Sequence, residues 1–206
     1  MSNSYAIFAK ETTYGTAPAS GWRGLEVNTD GHKTTREVLT HKGLASARGA
    51  QRASGRRIVK KKGTGSIAVP GFSNGTGILW RAAASTAASA VHSGGTLAYD
   101  QTYTWTSAGP PAGRSVTTEL RREQYDGDLD AYTYTGGRVT QVEVGQDISG
   151  LLQFTFGMDY QGAVRQGSVP SRTIADVEPD LIYAWEDATI TLGEVGESQT
   201  AECVQS

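Results

Sequence analysis

Leu152-Gln153-Phe154-Thr155-Phe156-Gly157-Met158, residues 152–158, alternate strictly between apolar and polar or small side chains. Leu152, Phe154, Phe156 and Met158 fall on one side of an extended chain, and Gln153, Thr155 and Gly157 on the other. That is the period of a strand with one face on a core. The pattern recurs in both directions. Upstream, Leu25 and Val27 oppose Glu26 and Asn28. Ile58-Val59 opens a run that continues through Ile67 and Val69 to Pro70. Thr102 to Thr106 alternates around Tyr103 and Trp105. Val116, Thr118 and Leu120 share a face, as do Tyr132 and Tyr134, and Val142 and Val144. Downstream, Leu181 to Trp185, then Ile190 and Leu192, close the series. Turn clusters lie between: Ala108-Gly109-Pro110-Pro111, Gly136-Gly137, and Asp147 to Gly150. Short strands with turns between them predict a mainly β chain, a β-sandwich or barrel.

Three segments depart from this pattern. Ile78-Leu79-Trp80-Arg81 followed by alanines predicts one flanking helix over about 75–89, because alanine has the best intrinsic helix propensity and Ser73, Asn74 or Thr76 can cap its start. Residues 1–21 show no period. They are expected to form an extended N-terminal arm whose Tyr5, Phe8 and Tyr14 lie on another surface, leaving 22–206 as the β domain. Residues 32–60 hold few large apolar side chains and are expected to be a long loop between strands, a length that usually signals function.

The net charge of -2 conceals a division. Residues 1–65 carry twelve Lys/Arg and four Asp/Glu; residues 66–206 carry seven and seventeen. The basic side is concentrated in Lys33, Arg36, Lys42, Arg48, Arg52, Arg56, Arg57, Lys60, Lys61 and Lys62, with Glu37 as the one acid among them. A molecule with one basic and one acidic region attracts copies of itself head to tail. Three readings of the basic segment stand side by side: a solvated loop, a dock on an acidic neighbouring subunit, or a phosphate-binding surface for DNA. The last lacks interleaved aromatic residues for base stacking.

Catalytic and cofactor signatures are missing. A nucleophile needs a base beside it, and the histidines, His32, His41 and His92, fall in the basic loop and a Ser/Gly-rich turn. Asp126, Asp128 and Asp130 are spaced as an EF-hand begins, but Ala131 stands where its glycine belongs and Gly137 where its glutamate belongs. Gly145 and Gly150 have P-loop spacing, with Leu151 and Leu152 in place of Lys and Ser/Thr. No cofactor or metal is expected. No apolar run is long enough to span a bilayer, and Met1 to Lys10 is not a secretory signal. One cysteine, Cys203, cannot form an internal disulfide, so synthesis in a reducing cytoplasm is expected.

Several segments, in order, are similar to the tail tube (major tail) proteins of siphophages. They are Lys10-Glu11-Thr12-Thr13-Tyr14-Gly15-Thr16-Ala17-Pro18 with Trp22-Arg23-Gly24-Leu25-Glu26; Gly63 to Pro70 running into Gly77-Ile78-Leu79-Trp80-Arg81; Tyr132 to Val139; Gly150 to Phe156; and Tyr183 to Leu192. The resemblance spans nearly the whole chain. It implies a non-enzymatic structural subunit of the virion tail, made in the host bacterial cytoplasm. It implies a sandwich with a flanking helix whose strands join those of other copies in a continuous ring-shaped barrel, as hexameric rings stacked into a conduit for DNA. The partners it implies are the chain itself, the tape measure protein, and the tail terminator and tail tip proteins, with no membrane. The ten basic residues above would then make the ring-to-ring contact, and Asp126, Asp128, Asp130, Glu143 and Asp147 would face an acidic lumen or receive the basic loop. Family members often continue past this last segment with further strands, where this chain stops at Ser206. Two other functions fit the residues alone: a nucleic-acid-binding β domain using the basic loop, and a carbohydrate-binding sandwich using Tyr103, Trp105, Tyr132 and Tyr134.

Overall fold

The computed structural model describes residues 5–40, 56–72, 75–93, 99–105, 114–146, 150–176, 191–192 and 200–201. The chain is mainly β with one short helix. In chain order the elements are β1 (Tyr5–Lys10), β2 (Trp22–Leu25), β3 (Thr29–Asp30), β4 (Lys33–Thr40), β5 (Arg56–Pro70), α1 (Gly77–Ala83), β6 (Thr86–Val91), β7 (Tyr99–Thr104), β8 (Val116–Glu123), β9 (Leu129–Gly145), β10 (Gln153–Tyr160), β11 (Gly162–Arg165), β12 (Ile174–Asp176), β13 (Thr191–Leu192) and β14 (Thr200–Ala201). Ten of these strands form one sheet in the order β12-β2-β1-β8-β9-β10-β5-β3, with β11 on β9 and β4 on β5.

β9 joins the two halves of that sheet. Its first part pairs with β8 and β11, its second part with β10. Between them the chain turns at Gly136, whose φ is 67, and at Gly137. A Cβ on Gly137 would stand 2.6 Å from the Tyr160 ring and 2.6 Å from the Val116 carbonyl oxygen, so no larger residue fits this close approach. The two halves fold over a single core. Ala6, Phe8, Val116, Leu120 and Tyr134 from one half meet Ile67, Val69, Phe156 and Met158 from the other. The alternation in residues 152–158 therefore points inward as expected, with Phe156, Met158 and Tyr160 buried and Phe154 packed against them.

The expected arm is not an arm at residues 5–10. β1 lies in the middle of the sheet between β2 and β8. Ala6 and Phe8 face the main core, while Ile7 and Ala9 face a second cluster with Trp22 and Ile174. Both faces are covered, so the strand reads as a continuous apolar run and shows no two-residue period. Phe8 is wholly buried in its own subunit. The hydroxyl of Tyr5 accepts from Arg121 at 2.6 Å, and Tyr14 lies under the Arg138 guanidinium, 5.5 Å from its ring centroid.

The helix is also shorter than expected. It ends at Ala83, and Ala84 turns extended at ψ 153. Thr86–Val91 then pairs in full register with β7, from Thr86↔Thr104 to Val91↔Tyr99. Six cross-strand pairs outweigh the alanine propensity of this stretch. Trp80 anchors α1 by packing edge-on against Phe154 and Phe156, at centroid distances of 5.0 and 5.3 Å. The strand expected at Leu181 to Trp185, and Cys203, lie outside the described residues.

Candidate assembly interface

The segment expected as a basic loop is, at both its ends, a long two-stranded ribbon. β4 pairs with β5 from Lys33↔Thr64 to Thr40↔Arg56, with a bulge between Glu37 and Val38. β10 pairs with β5 only from Gly63 onward. From Lys62 to Arg56, β5 therefore pairs with β4 alone among the described strands. That part of the ribbon is about 20 Å long at the rise of an extended chain. Lys42, Arg48 and Arg52 lie outside the described residues. Lys33, Arg36, Lys61 and Lys62 are exposed, and Arg56, Arg57 and Lys60 are placed on β5 by register.

Two features make this ribbon an incomplete structure. Arg36 stands directly opposite Lys61, a like-charge pair that weakens the ladder. Val38 stands opposite Ile58, and Val38, Leu39 and Ile58 are 45, 59 and 45 % exposed. A two-stranded ribbon without a covered apolar face is marginal in water. Lys62 has a counter-ion inside the chain, donating to Asp159 at 2.8 Å at the ribbon's base.

The ribbon's root is firmly held. His32, between β3 and β4, is buried rather than sitting in a solvated loop. Its Nδ1 is 2.7 Å from Asp30 Oδ1 and its Nε2 is 2.6 Å from the Tyr160 hydroxyl. That hydroxyl also lies 2.9 Å from Thr118 Oγ1 on β8. Arg122 on β8 forms an ion pair with Asp30. Burial alone would raise the Asp30 carboxyl, but hydrogen bonds from His32 and Arg122 outweigh it and hold the pKa at about 2. These bonds fasten the ribbon to the opposite half of the sheet.

The acidic candidates are not gathered in one place. Asp126 and Asp128 sit on the tight β8–β9 turn, where Asp126 Oδ1 accepts from the Asp128 amide at 3.2 Å. Asp130 is neutralised by Arg165, whose Nη2 approaches Oδ2 to 2.7 Å. Glu143 lies near the far end of β9, exposed, accepting from Gln141 Nε2 at 2.6 Å. Asp147 lies outside the described residues. The face of β9, β10 and β5 that carries Glu143 also presents Gln141, Thr155 and Ser66, by the pairs Thr155↔Glu143, Gly157↔Gln141 and Gly157↔Ser66. It is polar and of mixed charge: the pairs Asp159↔Arg138, Asp159↔Thr64 and Lys33↔Thr64 place Asp159, Arg138 and Lys33 on the same face, and Lys62 donates to Asp159 there.

The four aromatic residues of the carbohydrate-binding reading do not form one platform. Tyr134 is buried and Tyr132 is half-buried under Arg122. Tyr103 and Trp105 flank a different feature that sequence reasoning missed. A cleft of about 1230 Å³ lies between α1, β7 and the ends of β1, β2 and β8. Its cations are Lys10, Arg23, Arg81 and Arg114; Trp80, Tyr103 and Trp105 line it too. These residues come from five separate stretches of chain, so no local pattern could have shown them. Burial pushes the Tyr103 hydroxyl above its ordinary pKa.

Comparison with known proteins adds two findings. The family model described as "Phage tail tube protein" matches residues 1–203. The solved structure of the SPP1 tail tube, from solid-state NMR and cryo-EM, is similar at 12% identity over 81% of this chain and 78% of that one, with a TM-score of 0.44. No curated protein matches.

Proposed function

Because the chain belongs to the phage tail tube protein family, and is thus a structural component of the virion tail, we propose that it closes into hexameric rings that stack into a tube through the β4–β5 ribbon. The observation that carries this reading is the ribbon itself. It is a projecting pair of strands that leaves Val38, Leu39 and Ile58 in water and sets Arg36 against Lys61. Burial of those side chains on an adjoining ring contributes roughly 25 cal/mol per Å² of apolar surface. An acidic neighbour removes the like-charge penalty. The open ladder edges of the ribbon and of the sheet are covered by other copies, as edge strands in soluble proteins must be. The polar face bearing Gln141, Glu143, Thr155 and Ser66 lines the lumen.

The register supplies a clean test. Replacing Glu37 through Lys60 by Asn-Gly joins the facing residues Arg36 and Lys61 with a two-residue hairpin turn. The trimmed protein is expected to fold, with wild-type circular dichroism, and to give no stacked tubes by negative-stain microscopy. Long tubes from the trimmed protein would contradict the ribbon's role. Native mass spectrometry of the smallest closed wild-type assembly is expected to count six copies.

A further inference from the structure

The cationic cleft has a counterpart on the same molecule. The β8–β9 turn, Gln124–Asp128, carries Tyr125, which is fully exposed, beside Asp126 and Asp128. The turn is preformed: the Gln124 amide donates to the Asp128 carbonyl at 2.7 Å, the Gly127 amide to the Gln124 carbonyl at 3.1 Å, and Gly127 has φ 86. A rigid turn loses little entropy on docking. An exposed tyrosine flanked by charge has the composition of an interface anchor.

The cleft and the turn sit at opposite ends of one strand. Arg114, Ser115 and Val116, at the start of β8, line the cleft; the turn follows Glu123, at its end. They are about 25 Å apart along β8. Among the cleft's described lining residues there are four cations and no carboxylate. Its volume exceeds the usual size of a small-molecule pocket and suits a turn of polypeptide. We propose that the Gln124–Asp128 turn of one copy seats in the cleft of a second copy. Tyr125 stacks among Trp80 and Trp105, and Asp126 and Asp128 meet Arg23, Arg81 and Lys10. Two different patches at opposite ends of the subunit make the contact heterologous, which propagates from copy to copy. The proposal rests on the reading that the chain polymerises, and adds to the ribbon a second contact with named partners.

The test uses full-length protein and two readouts. The first is the critical concentration for tube formation, by sedimentation and microscopy. Tyr125→Ala and Arg81→Glu, both at exposed positions, are each expected to raise it about tenfold or more, as loss of an interface anchor does. Arg81→Glu combined with Asp128→Arg is expected to return it to within about threefold of wild type by restoring opposite charges. The second readout is independent of assembly. It is a peptide of residues 121–131, closed by a disulfide through Arg121→Cys and Ala131→Cys at positions that face each other in the hairpin. Added to the full chain below its critical concentration, the peptide is expected to change the fluorescence of Trp80 and Trp105. The change should be lost with a Tyr125→Ala peptide. Wild-type tubes together with unaltered assembly of Tyr125→Ala and Arg81→Glu would overturn the proposal and leave polymerisation standing. Absence of wild-type tubes with specific peptide binding would sustain the cleft contact while the polymer reading fails. Absence of both would overturn the two together.

Discussion

The centre of the sheet and the projecting ribbon treat polar groups in opposite ways. In the centre, β1 and β8 bury charge and satisfy it completely within the chain. Glu11 is 1 % exposed, and its two oxygens accept from Ser115 Oγ, Thr117 Oγ1 and the amides of Gly15 and Gly136 at 2.6 to 2.8 Å. Glu119 is fully buried and receives both Arg121 and Arg172. Arg121 also donates to the Pro170 carbonyl at 2.8 Å. On the ribbon the arrangement is reversed: apolar side chains face water, and Arg36 stands opposite Lys61, with Glu37 opposite Lys60 as the one acid across the ladder. The centre is a finished structure, whereas the ribbon leaves apolar side chains uncovered within the subunit, and the proposed function assigns their cover to another copy.

The largest effect should come from unpicking the finished part. Glu11→Ala removes the acceptor of four buried or half-buried donors. It should cost about 3–5 kcal/mol, visible as a drop in the urea midpoint. Glu11→Gln, which keeps some acceptor capacity, should cost less. Next, Gly137→Ala forces a Cβ against the Val116 carbonyl and the Tyr160 ring. It should lose about 2–4 kcal/mol, because neither the strand nor the packed ring can yield freely.

The root of the ribbon should show itself through pH. The folded Asp30 pKa, about 2, lies below its unfolded value of 3.8. The carboxylate's contribution is therefore complete above about pH 4 and fades as pH falls through 2. With partial solvent screening it amounts to about 1–2 kcal/mol at neutral pH. Asp30→Asn should abolish that part of the acid dependence, measured by urea unfolding between pH 2 and 5. The smallest effect on stability should come from the ribbon's surface. Lys61→Glu relieves the Arg36 contact and should shift the folding free energy by no more than about 0.5 kcal/mol. Yet it should weaken tube formation, measured as a higher critical concentration. A variant neutral for the subunit and harmful to the polymer would separate the two regions cleanly.

What could be read in advance follows the same division. β10 and its row of Phe154, Phe156 and Met158 announced themselves because one face is buried and the other is not. β1 did not, since both of its faces are covered and its alternation is erased. β8 was legible through Val116, Thr118 and Leu120; its Thr117, Glu119 and Arg121 look like surface residues and are buried because partners distant in sequence satisfy them. The alanine-rich stretch after Ala84 promised helix from local propensity, and β7 drew it into a strand pair. The basic ribbon was visible as charge and, on its β5 side, as the strand opened by Ile58 and Val59, but β4 was not, because a ribbon whose two faces are open has little apolar alternation to display. His32 hid among those charges, and only the fold brings it to Tyr160. The cleft was invisible for a plainer reason: Lys10, Arg23, Arg81 and Arg114 are spread over about a hundred residues of chain.

Amide hydrogen exchange on the full chain, free and assembled, tests most directly the claim that the ribbon is half of a structure. Protection at residues 35–39 and 57–62 is expected to rise about a hundredfold or more in tubes, while amides of β1 and β8 change by less than about threefold. Ribbon amides that exchange as fast in the tube as in the free subunit would contradict it.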